Sequence, residues 1–224
     1  MRRFLRKVIW GMALLSMAAS CSVDDYESGD GEHSYLVADF SIAHSGQSKQ
    51  LLNAMTDDGD SLVFDSPLEC SWAVTPDSSY RALVYYSREY GAGTRVRGIA
   101  AHQVLVLRIP AEQPSEMHAD PVTMESAWVS AGARYLNLGL YVKTGKSSGS
   151  NAKQTLGVVR DTVVTLDNGT KEHRLRLFHN QNGVPEYYSS RVYATIPTGD
   201  IPAGDIVRLE VCTYEGVVVR YFNY

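Results

Sequence analysis

Cysteine is scarce, with three in 224 residues (Cys21, Cys70 and Cys212), too few for a disulfide framework. Histidine is sparse and scattered: His33, His44, His102, His118, His173 and His179 make no HExxH and no Cys/His cluster of zinc spacing, so no metal site and no cofactor are expected. Beyond the first 20 residues no stretch keeps a 3.6-residue apolar period, which argues against helices. No run reaches the roughly 20 apolar residues that a membrane-spanning helix needs. The phosphate loop is also missing. Thr144-Gly145-Lys146-Ser147 has its ending, but Leu140 stands where the motif requires glycine, and the segment follows a strand pattern instead of opening a helix. No GxSxG elbow or Cys/His nucleophile pairing occurs, so an enzyme of unrecognised chemistry is the weakest of the functional readings.

What is present begins with Arg2, Arg3, Arg6 and Lys7, a short apolar run over Val8–Met17, and Ala18-Ala19-Ser20 before Cys21. This is the layout of an export signal, whose apolar core spans about 7 to 15 residues. Small residues ending at cysteine resemble the lipobox of bacterial lipoproteins, although Ala18 replaces the usual leucine. The resemblance implies cleavage after residue 20 and acylation of Cys21 with palmitate-type chains, giving a Gram-negative envelope lipoprotein. Two or three chains, at about 0.8 kcal/mol per buried methylene, make such an anchor effectively permanent. The first 20 residues carry four of the 21 Lys+Arg and none of the 25 Asp+Glu, so the remaining chain holds 17 against 25, a net charge of −8. An acidic body of this kind is a poor partner for nucleic acid. Residues 21–33 are polar and acidic and read as a tether. Asp24 and Asp25 resemble sorting signals for the outer membrane; periplasmic and cell-surface display both stay open.

The expected fold is all-β, an OB-type barrel over 34–112, a linker over 113–120 and a β-sandwich over 121–224. Leu36, Ala38, Phe40 and Ile42 alternate with Val37, Asp39 and Ser41. Asp57-Asp58-Gly59-Asp60 reads as a turn into Leu62-Val63-Phe64; its three carboxylates match no EF-hand spacing. Strand patterns follow over Tyr80–Arg88 and over Arg95–Ile109, the second long enough to serve two parts of a barrel. Beyond Asp120 seven strands are expected, among them Arg134–Lys143, where Leu136, Leu138, Leu140 and Val142 face one way, and a closing hairpin across Glu215-Gly216. Cys70 and Cys212 fall in different predicted domains and are expected as two separate buried thiols, with a bridge between them the alternative.

Tyr80, Arg81, Tyr85, Tyr86, Arg88, Tyr90, Arg95 and Arg97 concentrate aromatic and guanidinium groups on the predicted barrel. Such residues on one strand face form a stacking platform for sugars, bases or peptides; equally, tyrosines fill sheets and arginines offset an acidic body. Asp60-Ser61-Leu62 and Asp161-Thr162-Val163 resemble short bacterial O-glycosylation sites, with Ser61 and Thr162 as acceptors.

The order of lipobox, acidic tether, Tyr35-Leu36-Val37, Asp57 to Leu62, Trp128, Tyr135-Leu136-Asn137, His179-Asn180 and Tyr221-Phe222-Asn223-Tyr224 resembles the NigD-like lipoprotein family. The resemblance implies an OB domain followed by a β-sandwich, no established catalytic residues, and the bacteriocin-immunity role suggested for the gene cluster that names the family. The functional expectation is a lipid-anchored, outer-membrane binding or scaffold module for an envelope protein, peptide or glycan, with bacteriocin immunity as the alternative.

Overall fold

The computed structural model describes residues 36–88, 93–146 and 151–224. The signal segment, Cys21, the tether and Tyr90 lie outside the described residues. Five strands come first: β1 (Leu36–Ser45), β2 (Gln50–Thr56), β3 (Ser61–Glu69), β4 (Ser79–Ser87) and β5 (Arg95–Gln103). They close into a barrel in the order β1-β2-β3-β5-β4, with β3 parallel to β5 at Val63↔Arg95 and Phe64↔Val96. This is the five-stranded Greek-key barrel of the OB fold. Its interior is filled by alternate residues, Leu62 and Phe64 on β3 and Ala82, Val84 and Tyr86 on β4, together with Ala43, Leu51, Ala54 and Val96. The acidic turn between β2 and β3 forms as expected: the Thr56 N–H donates to the Asp60 carbonyl at 2.9 Å, and Gly59 supplies φ +92°.

The expected long strand over Arg95–Ile109 is two strands. The chain bends at buried Val104, and β6 (Leu105–Val106) pairs in parallel with β11 of the second body. The pattern conceals the break because buried apolar residues recur on both sides of it, Val96 in the barrel and Leu107 in the sandwich core. One sheet of the sandwich therefore takes a strand from before residue 112. The stretch expected as a linker is pinned at its end, where Asp120 N–H donates to the His179 carbonyl at 3.0 Å.

The remaining strands are β7 (Thr123–Val129), β8 (Tyr135–Thr144), β9 (Thr155–Thr165), β10 (Lys171–Asn180), β11 (Tyr188–Pro197), β12 (Ile206–Thr213) and β13 (Gly216–Asn223). They form two four-stranded sheets, β6-β11-β8-β7 and β13-β12-β10-β9, with β10 parallel to β12. The seven expected strands are present and β6 makes an eighth. Leu136, Leu138, Leu140 and Val142 point between the sheets as their alternation requires, meeting Leu175, Leu177, Ile196, Val207, Leu209 and Val211. Each fully buried Leu or Val of this set contributes about 1.5–3 kcal/mol relative to an exposed one.

Barrel and sandwich belong to one compact unit, residues 35–224. The outer face of β1 and β4 lies on the outer face of sheet β6-β11-β8-β7, burying Phe40, Leu83 and Val104 with Tyr85 and Tyr193 packed against them. This explains a burial pattern that alternation alone assigns to solvent: Asn137 and Thr195 point away from the sandwich core yet are fully buried.

Candidate binding cleft at the junction

The covered part of that sheet face carries a polar clasp. Arg81 Nη1 and Nη2 donate to Asp57 Oδ1 and Oδ2, both at 2.6 Å, the two-pronged geometry that suits guanidinium and carboxylate. Arg81 Nη2 also donates to Asn137 Oδ1 at 3.0 Å, Asn137 Nδ2 donates to Asp57 Oδ2 at 3.1 Å, and Thr195 Oγ1 donates to Asn137 Oδ1 at 2.7 Å. The guanidinium sits 4.2 Å from the Tyr135 ring centroid, while Phe40 meets Trp128 and Tyr193 edge-on at 5.1 and 5.7 Å. Asp57, Trp128, Tyr135 and Asn137, four residues of the family-like pattern, thus join the two bodies.

The uncovered part of the same face opens as a cleft of about 440 Å³, within the ~300–1,000 Å³ range of small-molecule sites. One wall is barrel: Tyr85 on β4 and His102 on β5 stack edge-to-face at 5.5 Å, with Gln103 beside them. The other is sandwich: Arg191 and Tyr193 on β11. Arg191 is held from three sides. Its guanidinium lies 5.3 Å from the Tyr141 ring and 5.6 Å from the Tyr193 ring, Nη1 donates to Tyr193 Oη at 3.2 Å, and Nη2 donates to Glu125 Oε1.

Local backbone explains how Glu125 gets there. The β7–β8 register shifts between Met124 and Ser126, so Glu125 is an extra, bulged residue. A bulge re-aims a side chain, and here it turns Glu125 outward beside Ser126. Gly139 on β8 leaves the passage open, since a Cβ there would stand 2.6 Å from Ser126 Oγ and 3.2 Å from Glu125 Oε2. The Glu125 hydrogen bond holds the Arg191 guanidinium more firmly protonated than usual. Burial, then the neighbouring Tyr193, raise the Tyr85 phenol above its ordinary value, so Tyr85 serves as a neutral hydrogen-bonding group at neutral pH.

The residues expected to form a barrel platform are divided: Arg88 meets Tyr86, its guanidinium 5.7 Å from the ring centroid, but the set shares no single surface. Arg81 is buried in the clasp and Tyr86 inside the barrel, so neither is a ligand surface, because alternation along β4 sends odd positions to the junction and even ones to the core. Among the described platform residues, Tyr85 alone lines the cleft. Arg88 is exposed and pairs with Asp60 at 2.6 Å; Arg95 and Arg97 are exposed on β5. Ser61 and Thr162 are exposed. Cys70 and Cys212 are free thiols, Cys70 buried in the barrel with its thiol pushed up to about 11 by burial and, less, by Glu69. No sequence motif marks Arg191, Tyr193, His102 or Glu125; the alternating Arg191-Val192-Tyr193 is the signal available.

Among the described residues no three His, Cys, Asp or Glu side chains converge to hold a metal, and no helix is long and apolar enough to cross a membrane. A larger hollow of about 960 Å³ lies by Thr144, Lys153 and Tyr188, but its lining includes Lys146 and Asn151, the two ends of a stretch outside the described residues, so its walls do not define a site.

No protein-family model and no curated protein matches the chain. Solved structures do. A NigD-like immunity protein from Bacteroides caccae superposes with TM-score 0.62 at 19% identity, over 84% of this chain and 96% of that one. A Parabacteroides distasonis protein, provisionally named toxin-related, gives 0.62 at 18% over 84% and 93%. A Bacteroides fragilis protein, provisionally named a lipoprotein, gives 0.54 at 11% over 84% and 96%.

Proposed function

We propose that this chain, which has the fold of the NigD-like proteins, is a non-catalytic binding module of the cell envelope that captures its partner in the barrel–sandwich cleft. Lipid on Cys21 anchors it to the outer membrane. The single observation that carries the reading is the Glu125–Arg191–Tyr193 arrangement: a bulge, a glycine passage and two ring contacts hold one guanidinium at the mouth of a cleft that both bodies wall. Preorganised polar and aromatic groups of this kind lower the ordering cost of binding.

The test is co-purification of the native lipidated protein from envelope extract. A molecule retained by the wild type and lost from Arg191→Met supports the reading; equal retention by both overturns it. Bacteriocin immunity is the second reading, favoured by the name of the Bacteroides caccae neighbour. Under it, deleting the gene sensitises cells to a co-encoded toxin, and unchanged sensitivity removes it.

A further inference from the structure

We infer that the ligand of the junction cleft is a neutral saccharide; this rests on the cleft being the binding site. Charge comes first. Arg191 lines the cleft and is paired with Glu125, which does not line it, so the guanidinium enters the cleft with its charge offset. An anionic ligand would have to compete with Glu125 for that guanidinium, and a cationic one would meet it as a like charge. Neutral hydroxyls, each both donor and acceptor, take the remaining N–H donors without displacing Glu125.

The rings argue the same way. Tyr85 and His102 present aromatic surface from the barrel, and Tyr193 from the sandwich. A pyranose has flat C–H faces for such rings and a hydroxyl rim for Gln103, His102 and Arg191. The volume of about 440 Å³ suits a compact ligand.

The experiment is calorimetric titration of the full lipidated chain in a zwitterionic, sugar-free detergent. The probes are cellobiose, maltose and lactose, then digalacturonic acid, then an alanine-based decapeptide. We expect a neutral disaccharide to bind and Arg191→Met to weaken it tenfold or more. Glu125→Gln leaves Arg191 unpaired in charge and should raise the preference for digalacturonic acid over the neutral sugars at least fivefold, a gain that unfolding cannot mimic. Arg95→Ala, on the exposed side of β5, should leave affinity unchanged. Binding of the decapeptide alone, lost in Arg191→Met, overturns the saccharide inference and keeps the cleft as the binding site. Saccharide binding indifferent to both Arg191→Met and Glu125→Gln overturns the inference and the cleft together.

Discussion

Removing the Asp57 carboxylate should cost the molecule far more than an ordinary loop mutation. Asp57 closes the β2 end, yet it accepts three hydrogen bonds, two from Arg81 and one from Asn137. The side chain of Arg81 is only 2% exposed, and its Nε already lacks a partner. Asp57→Ala therefore leaves a buried guanidinium uncompensated, a lesion worth about 3–5 kcal/mol. For a body of this size each kcal/mol moves the melting temperature by roughly 2–4 °C, so a fall of about 6–20 °C is expected. The double variant Asp57→Ala/Arg81→Met removes both charges and should recover much of that loss, because the desolvation cost disappears with the pair. Differential scanning calorimetry reads both. The wild type should unfold in one transition, and Asp57→Ala should separate barrel from sandwich melting, since the clasp ties them. A Tm for Asp57→Ala within about 2 °C of wild type, or a double variant no better than the single one, would refute the reasoning.

Other consequences follow at separate places. Gly139→Ala should push Glu125 and Ser126 aside and weaken cleft binding several-fold with little change in Tm; unchanged affinity by titration would show that Glu125 does not position Arg191. The Tyr86 phenol, buried and donating to Asp39 Oδ2 at 2.7 Å, is pushed up to about 12. Its raised value keeps stability intact below about pH 10 and loses it as pH climbs toward 12. Alkaline denaturation of Tyr86→Phe should be shallower there, and an identical curve counts against the assignment. Asp205 accepts from His173 Nε2 at 3.0 Å and from the Lys171 N–H at 3.1 Å, which hold its carboxyl below the usual carboxylate range. That contribution is present above the ordinary carboxylate pKa and is lost as acid drives pH through the lowered one, so Asp205→Asn should flatten the acid limb of a stability profile. Intact-mass measurement of native protein should show glycan on Ser61 or Thr162 and acyl chains on Cys21; a bare polypeptide mass removes both modifications.

Legibility in the sequence tracked the range of the interaction. The β8 leucines, the Gly59 turn and the closing hairpin at Gly216 were readable because alternation and turn chemistry are local. The β4 platform was not. Its tyrosines and arginines divide between a core and a junction, and the partner that buries Arg81 at the junction, Asn137, lies 56 residues on. Likewise Asn137 reads as a solvent-facing residue of β8 until a second body covers it. The run through Val104 hid a strand break because apolar residues satisfy both bodies. Glu125 reached Arg191 through a one-residue register shift, which no pattern in its own segment announces.

Placement of the partner is the claim most directly open to measurement. A photo-crosslinking phenylalanine derivative introduced in cells at Gln103, inside the cleft, or at Arg97, outside it, should distinguish the two surfaces. A discrete adduct is expected from position 103 and none from position 97. An adduct from 97 alone would place the partner on the barrel's outer strands and contradict the cleft.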